Sequence, residues 1–196
     1  MHMKERRFHA SQAHRLDAPD RLLWLPPAEI VASAGVHPGD IIADIGAGTG
    51  YFALPLAQVA GPQGLVYAVD AQQEMLDLLT EKLHVPGSGN IRLVQAEAEA
   101  TGLPDASCTL AFLANVWHEF DDRALVLREV HRILRRGGRI AIVDWRPDVE
   151  REAGPPLEHR LPVDLTKQEL TAAGFASISD ANVGKYHWLV LAELAS

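Results

Sequence analysis

Three glycines at alternate positions lie in the segment Asp44–Gly50, directly after a short apolar run at 41–45. Glycine lets the backbone turn sharply and lets a ligand lie against main-chain N–H groups. Asp70 ends the next apolar run, twenty residues after Gly50. In a strand–helix–strand unit, a carboxylate at that place faces the crevice beside the glycine loop and accepts hydrogen bonds from a ribose. The two features together predict a nucleotide-binding site.

The spacing of the glycines separates two kinds of nucleotide ligand. The dinucleotide fingerprint is G-x-G-x-x-G, whose third glycine lets the helix approach the strand closely. Here the pattern is G-x-G-x-G, because the third glycine comes one residue early, at Gly50. An NAD-dependent oxidoreductase is therefore the less favoured interpretation, and the lack of a Tyr-x-x-x-Lys pair also counts against it.

A second group of chemically capable residues follows the apolar run at 109–114. Ligands of open α/β sheets bind outside the carboxyl ends of the strands, so this segment is the main catalytic candidate. His118 carries or releases a proton near neutral pH, and we predict that it is a general base. Glu119 is predicted to be its orienter or an alternative base. A structural role for this histidine is left open.

The elements that position these residues follow from hydrophobic periodicity. Five apolar runs rich in β-branched residues predict buried parallel strands at 41–45, 65–69, 91–95, 109–114 and 139–144. Helices are predicted between them at 51–60, 72–84 and 122–136. We expect Asp121 to cap the last helix and Gly137 to end it. Crossovers of this length place helices on both faces of a mostly parallel sheet, which is a doubly wound α/β domain.

The two ends of the chain add further parts. Residues 1–34, with a predicted helix at 27–34, form an N-terminal helical segment that is a candidate lid over the cleft. The proline-rich stretch 146–164 predicts a surface loop. A helix at 166–173 and two strands near 175–182 and 185–191 follow, and the short link between these strands predicts an antiparallel hairpin.

Length and composition set outer limits on the function. The chain has 196 residues, of which 47% are hydrophobic and 22% charged, as in one globular domain. Its net charge of −8 argues against nucleic acid as a partner. No apolar run approaches a membrane span, and the single cysteine, Cys108, fits a cytoplasmic protein. No histidines have H-x-x-x-H spacing, so we predict no metal site. We expect the protein to be a monomer or a homodimer.

Four segments, in order, resemble motifs of the class I S-adenosylmethionine-dependent methyltransferases. They are GVHPGDIIADIGAGTGYFALPLA at 35–57, VYAVD at 66–70, LVQAEAEATGLPDAS at 93–107 and LRRGGRIAIVDW at 134–145. The resemblance is closest to small members related to the ubiquinone and menaquinone methyltransferases. It implies that residues 35–196 form the methyltransferase domain, with a Rossmann-like, seven-stranded, mostly parallel sheet that the C-terminal antiparallel hairpin completes.

The resemblance also implies which residues bind S-adenosylmethionine. The glycine loop would lie against the methionine part, Asp44 would act on its ammonium group, and Asp70 would accept from both ribose hydroxyls. Glu97 stands where the family usually has Asp to accept from the adenine amino group. The full implied set is Asp44, Gly46, Ala47, Gly48, Gly50, Asp70, Ala71, Gln72, Glu97, Ala98 and Asn115.

The implied reaction is methyl transfer to a small-molecule acceptor, with quinone-like or phenolic compounds as candidates. Such a transfer is an in-line displacement, so alignment of the reactants and exclusion of water supply much of the rate, and a base is optional. The resemblance does not reach the acceptor. A protein that binds S-adenosylmethionine without catalysis stays open as an alternative, ahead of the NAD-dependent oxidoreductase.

Overall fold

One seven-stranded sheet organises the chain in the computed structural model, which describes residues 8–149 and 154–195. The strands are β1 Ile41–Ile45, β2 Leu65–Asp70, β3 Ile91–Gln95, β4 Cys108–Ala114, β5 Leu134–Trp145, β6 Phe175–Val183 and β7 His187–Leu194. Their order is β3-β2-β1-β4-β5-β7-β6. The first five strands are parallel, and β7 is antiparallel to both β5 and β6. The predicted Rossmann-like sheet and its C-terminal hairpin are confirmed.

Helices cover both faces of this sheet. The described residues form α1 Arg21–Trp24, α2 Pro27–Ser33, α3 Ala53–Ala60, α4 Gln73–Thr80, α5 Arg123–Ile133 and α6 Val163–Ala172. Alternate strand residues enter different cores: Ile42 packs into the core that contains α3, and Ala43 into the core that contains α5. Because both faces are buried, the parallel strands are almost continuously apolar. None of these helices is long and apolar enough to cross a membrane.

Helix α5 differs from its prediction at both ends. Asp122, and not Asp121, is the N-cap, because its side chain accepts a 3.1 Å hydrogen bond from the backbone N–H of Leu125. The helix ends at Ile133 instead of 136, since the chain is already extended at Leu134 and pairs there with Cys108 of β4. Gly137 therefore lies within β5, where the pairing with β4 is irregular, and does not end the helix.

Two further helix boundaries lie three or four residues from their predicted positions. Helix α4 ends at Thr80, four residues before the predicted end, and the chain continues in turns. Helix α6 begins at Val163 and not at 166, because Pro162 precedes the first turn, where a missing N–H costs nothing. The predicted loop is shorter as a result, and its residues 150–153 lie outside the described residues. So do residues 1–7 of the predicted N-terminal segment and residue 196 of the predicted domain.

A buried carboxylate on α5 anchors the loop between β3 and β4. Glu129 is 7% exposed, and its Oε1 accepts from the backbone N–H and the hydroxyl of Thr101, at 2.8 and 2.6 Å. Arg132 donates to both carboxylate oxygens of Glu129, at 2.7 and 2.8 Å. The hydrogen bonds from Arg132, the largest cause, lower the pKa of Glu129 to about 2. The loop that carries Glu97 is thus fixed to the helix layer.

We expect Glu129→Ala to lower the free energy of unfolding by about 2–3 kcal/mol, because it leaves the polar groups of Thr101 buried without a partner. Since the pKa of Glu129 is lowered on folding, its contribution is complete above about pH 4.5 and is lost as the pH falls towards 2. Urea denaturation at neutral and acidic pH measures both effects. Arg128→Ala, an exposed change on the same helix, is the control. Equal stabilities of the two variants at neutral pH would contradict the anchoring role.

Candidate functional site

A cavity of about 530 Å³ lies at the carboxyl ends of β1, β2 and β4. The loops that follow these strands and β3 line it, together with the N-terminal segment. Twelve of the thirteen sequence-predicted site residues line this cavity, namely Asp44, Gly46, Ala47, Gly48, Asp70, Ala71, Gln72, Glu97, Ala98, Asn115, His118 and Glu119. The exception is Gly50. Strand ends that converge on one edge bring these residues together.

The glycine loop has two kinds of glycine. Gly46 has a φ of 78° and lines the cavity, and a Cβ atom there would lie 2.5 Å from Cγ1 of Val116. Gly50, with a φ of 84°, packs instead against Leu79 of α4, whose side chain would collide with a Cβ atom. The prediction that Gly50 contacts the ligand is therefore not supported by its position. Its role is to let α4 pack closely against the loop.

The carboxylate of Asp70 connects the first two loops of the site. Its Oδ2 accepts from the backbone N–H of Gly48 at 2.8 Å, and its Oδ1 accepts from that of Gln72 at 2.9 Å. The carbonyl of Val69 accepts from two further loop N–H groups, those of Gly46 and Ala47. A carboxylate has about four acceptor sites, so these two hydrogen bonds by themselves do not saturate Asp70.

Two buried oxygen atoms of the cavity have no hydrogen-bond partner within the described part of the chain: Asp44 Oδ2 and Asn115 Oδ1. Asp44 is 2% exposed, and burial, with a smaller effect of nearby Asp70, raises the pKa of its carboxyl to about 8. Asn115 has a φ of 60°, a left-handed conformation that asparagine tolerates better than most residues. Both oxygens can accept from a cationic or hydrogen-bond-donating group of a ligand.

His118 is held by Asp144 and not by its neighbour Glu119. The ring Nδ1 of His118 lies 2.8 Å from Asp144 Oδ1, and its backbone N–H donates to Asp144 Oδ2 at 2.8 Å. Burial by itself would lower the pKa of His118, but the charge and hydrogen bond of Asp144 outweigh burial, and the pKa is raised above its usual value. Because the ionised Asp144 only accepts, Nδ1 carries the proton and Nε2 is the basic nitrogen.

Glu119 therefore does not have the predicted orienting role. It lines the cavity beside His118, and its Oε2 accepts a 3.3 Å hydrogen bond from the backbone N–H of Phe8. Burial is the main reason that the pKa of Glu119 rises to about 7. Trp117 directly precedes His118 in the sequence and is fully buried in the core. Its indole N–H donates a hydrogen bond to the hydroxyl of Thr166. It does not line the cavity.

The N-terminal residues 8–20, called the strap below, lie across the cavity. The side chain of Gln72 accepts from the backbone N–H of Ala10 at 3.1 Å and donates to the carbonyl of Phe8 at 2.7 Å. At the other end of the strap, Asp17 accepts from Thr49 at 3.0 Å and from Lys82 at 2.7 Å. Gln72, predicted from the resemblance to contact the cofactor, therefore also holds the strap.

Sequence reasoning missed several residues in or behind the cavity wall. Asp144 does not line the cavity but holds His118, and it had one signal, because it leaves the fifth strand at the same sheet edge as His118. Met75 has the spacing of a core residue, and it lines the cavity although it is buried. Arg21 and Trp24 of α1 fall within the segment 1–34 that was predicted as a candidate lid, but no local signal assigned either of them a place in the cavity wall.

Comparison with known proteins shows the family of the chain. Residues 43–142 match the family model described as a methyltransferase domain. The structure is similar to that of a solved S-adenosylmethionine-dependent methyltransferase from Aquifex aeolicus, with 30% sequence identity and a TM-score of 0.90. The match covers 96% of this chain and 100% of the Aquifex aeolicus chain. The chain belongs to the class I S-adenosylmethionine-dependent methyltransferases. This membership confirms the resemblance and S-adenosylmethionine as the cofactor, and it removes the NAD-dependent alternative.

Curated relatives share the methyltransferase segment. A ubiquinone/menaquinone biosynthesis C-methyltransferase from Pseudoalteromonas translucida is 36% identical over 130 residues, which are 65% of this chain and 51% of that protein. The protein of the same name from Francisella tularensis is 34% identical over 159 residues, which are 81% of this chain and 62% of that protein. The chain thus spans between half and two thirds of the length of these methyltransferases.

The residues of this methyltransferase cavity fit S-adenosylmethionine. The unpartnered oxygens of Asp44 and Asn115 suit the ammonium group of its methionine part, and Asp70 suits the vicinal hydroxyls of its ribose. Met75 and Ala98 offer apolar surface to an adenine ring. No group of three or more metal-binding side chains occurs in the described ranges.

We expect Gln72→Ala to loosen the strap, because it removes both hydrogen bonds between the Gln72 side chain and the strap backbone. Amide hydrogen exchange measured by mass spectrometry should then become faster in a peptide that contains Ala10, while exchange in the sheet is unchanged. Gln73→Ala, which replaces an exposed glutamine next to it in the sequence, is the matched control. Equal exchange in both variants would show that Gln72 does not hold the strap.

Proposed function

We propose that this methyltransferase transfers the methyl group of S-adenosylmethionine to a small aromatic acceptor of the quinone-like or phenolic class. The observation that carries the proposal is that the glycine loop, Asp70 and the His118–Asp144 pair all line or border one cavity. The names of the curated relatives support the acceptor class. A volume of about 530 Å³ suits a cofactor with a small acceptor better than a macromolecular acceptor.

In this proposal the cofactor lies along the strand ends. Asp70 accepts hydrogen bonds from the ribose, and Asp44 and Asn115 accept from the ammonium group, because their buried oxygens are available for it. The loop after β3, with Glu97 and Ala98, and the first turn of α4 would hold the adenine ring. His118, at the end of β4, would then serve the reactive end of the cofactor.

The protein contributes alignment, exclusion of water and a base. When bound, S-adenosylmethionine supplies an electrophilic methyl group on a sulfonium. Nε2 of His118 would take the proton from the acceptor's hydroxyl or acidic carbon, which leaves the acceptor nucleophilic towards the methyl group that the cofactor would supply. Asp144 stabilises the imidazolium that results, as a carboxylate does in other His–Asp pairs.

The fold supplies the surroundings that this reaction needs. The strap covers the cavity, and we propose that the protein is a monomer or homodimer. A net charge of −8 supports a partner other than nucleic acid. The single, buried Cys108 is compatible with the reducing cytoplasm, which we propose as the location.

The cofactor position is tested by calorimetric titration with S-adenosylhomocysteine. We expect Asp70→Asn to weaken binding by roughly 10–100-fold, because a charged acceptor of the ribose hydroxyls is lost, at about 1.5–3 kcal/mol. Asp77→Asn, on the exposed side of α4, is the control. If wild-type protein failed to bind S-adenosylhomocysteine, the proposed function would be wrong. Equal affinity of the Asp70 variant would contradict only the position of the ribose.

The role of the base is tested by variants of the His118–Asp144 pair. We expect His118→Ala to lower kcat by about 10²–10⁴ with a phenolic acceptor, while affinity for S-adenosylhomocysteine is retained. Because neutral His118 is the active form, kcat should rise with pH through its raised pKa. Asp144→Asn should move that rise to lower pH, since it removes the charge that raises the pKa of His118.

The control for these kcat measurements is His131→Ala, which replaces an exposed histidine on α5. An unchanged kcat for His118→Ala would mean that alignment alone drives the transfer and that His118 is structural. Binding of the cofactor without methyl transfer to any acceptor of a broad panel of quinones, phenols and acidic carbon compounds would favour a binding protein without catalysis.

A further inference from the structure

An apolar surface, called the aromatic wall below, lines the cavity at the end of β5 and consists of Trp24, Trp145, Gly154 and Pro155. The ring centroids of the two tryptophans lie 5.6 Å apart. The ring of His187, which is fully buried, packs against both of them, at 4.3 and 5.8 Å. A Cβ atom on Gly154 would lie 3.0 Å from the ring of Trp145, so the loop backbone packs directly on that ring. Flat apolar surface of this kind suits a planar ring of a ligand.

One carboxylate fixes the aromatic wall relative to the proposed base. Asp144 Oδ1 accepts a 2.7 Å hydrogen bond from the backbone N–H of Trp145, and it lies 2.8 Å from Nδ1 of His118. Asp144 is 1% exposed, so water does not compete for these contacts. The wall and the base therefore share one buried anchor.

The order of the strands separates the aromatic wall from the residues proposed to bind the cofactor. Asp70 and Glu97 belong to the ends of β2 and β3, whereas His118 follows β4 and Trp145 ends β5. In the sheet the order is β3-β2-β1-β4-β5, so the base lies between the two groups. Alignment for an in-line transfer requires cofactor and acceptor to meet near the base. With the cofactor on the β1–β3 side, the acceptor's ring would lie on the β5 side, where the wall is.

Arg160 holds the loop of the aromatic wall from behind. It is 5% exposed and is not among the residues that line the cavity. Its Nε donates to the carbonyl of Pro155 at 3.1 Å, and its Nη1 donates to those of Arg146 and Val149 at 3.2 and 2.6 Å. Its guanidinium carbon lies 5.3 Å from the ring centroid of Trp145. A planar group with five donors can satisfy several carbonyls and stack on a ring at the same time, which an ammonium cannot do.

We propose that the aromatic wall binds the planar ring of the methyl acceptor and that Arg160 is a positioning residue for this wall. The inference rests on the proposed function, because it requires an acceptor that contains such a ring. It makes planarity, and not apolar character alone, the property that selects the acceptor. A saturated ring system of the same carbon skeleton also buries apolar surface, but it does not stack on Trp145. Such a compound should therefore bind more weakly.

The test uses two alcohols with one carbon skeleton, 2-naphthol and decahydro-2-naphthol, which are titrated by calorimetry into protein saturated with S-adenosylhomocysteine. We expect the wild-type protein to prefer 2-naphthol by roughly 3–10-fold, because stacking on an aromatic ring adds to the effect of burial. Trp145→Leu should remove most of this preference, and Trp145→Phe should keep part of it. Arg136→Gln, which replaces an exposed arginine near the start of β5, should keep the wild-type preference.

The role of Arg160 is measured with the same pair of alcohols. Arg160→Gln should reduce the preference for 2-naphthol about as much as Trp145→Leu does. Arg160→Lys, which keeps the charge but loses the planar donors, should give an intermediate value. Affinity for S-adenosylhomocysteine should be the same in both variants as in the wild-type protein, because Arg160 holds a loop on the β5 side of the cavity.

The contrary outcomes are distinct. If the wild-type protein bound neither alcohol, or both equally, the inference would be wrong whether or not the variants fold. A preference that survives Trp145→Leu would place the ring elsewhere in the cavity. An unchanged preference in Arg160→Gln, or a loss of affinity for S-adenosylhomocysteine in that variant, would remove the specific positioning role of Arg160. Failure of the wild-type protein to bind S-adenosylhomocysteine would contradict the proposed function itself.

Discussion

The carboxylate of Asp70 is the interaction on which the rest of the site depends. It accepts hydrogen bonds from Gly48 of the first loop and Gln72 of the second, and so fixes the separation of two loops that leave neighbouring parallel strands. Gln72, once fixed, holds the strap through its side-chain amide. The floor, one wall and the cover of the cavity are therefore connected through a single side chain, which is also the predicted acceptor for the ribose.

Burial of charge gives the cavity its chemical character. Asp44 and Glu119 have raised pKa values because little water reaches them, and Arg21 has a lowered one for the same reason. His118 has a close counter-charge in Asp144. Such buried groups lower the stability of the free protein. A ligand with complementary charges binds more tightly because it pairs with them. Preorganised charges in a dry site also act more strongly on a reacting group than they would in water.

The spacing of apolar and polar residues along the chain predicted the strands and the residues at their ends. Apolar runs gave the five parallel strands, and the position of Asp70 at a strand end gave its place beside the glycine loop. The N-cap of α5 was misplaced by one residue because adjacent Asp121 and Asp122 satisfy the same capping pattern. The partners of His118 and Glu119 lie 26 and 111 residues away along the chain. The strand-end position of Asp144 was a signal for the first, whereas the sequence held none for the contact between Glu119 and Phe8. Arg21 likewise reaches the cavity only through the tertiary path of the strap.

The strap also constrains the order of events in a catalytic cycle. Because residues 8–20 contact both loops that flank the predicted cofactor, exchange of the cofactor requires the hydrogen bonds at Gln72 and at Asp17 to break. A small acceptor does not need the same opening if it enters beside the loop that contains Pro155 and His159, which lines the cavity from another side. Under the proposed function, such a path would give an ordered sequence in which the adenosyl ligand arrives first and leaves last. In such a scheme the strap sets the residence time of the spent cofactor, and hence the upper limit of turnover, independently of the chemical step.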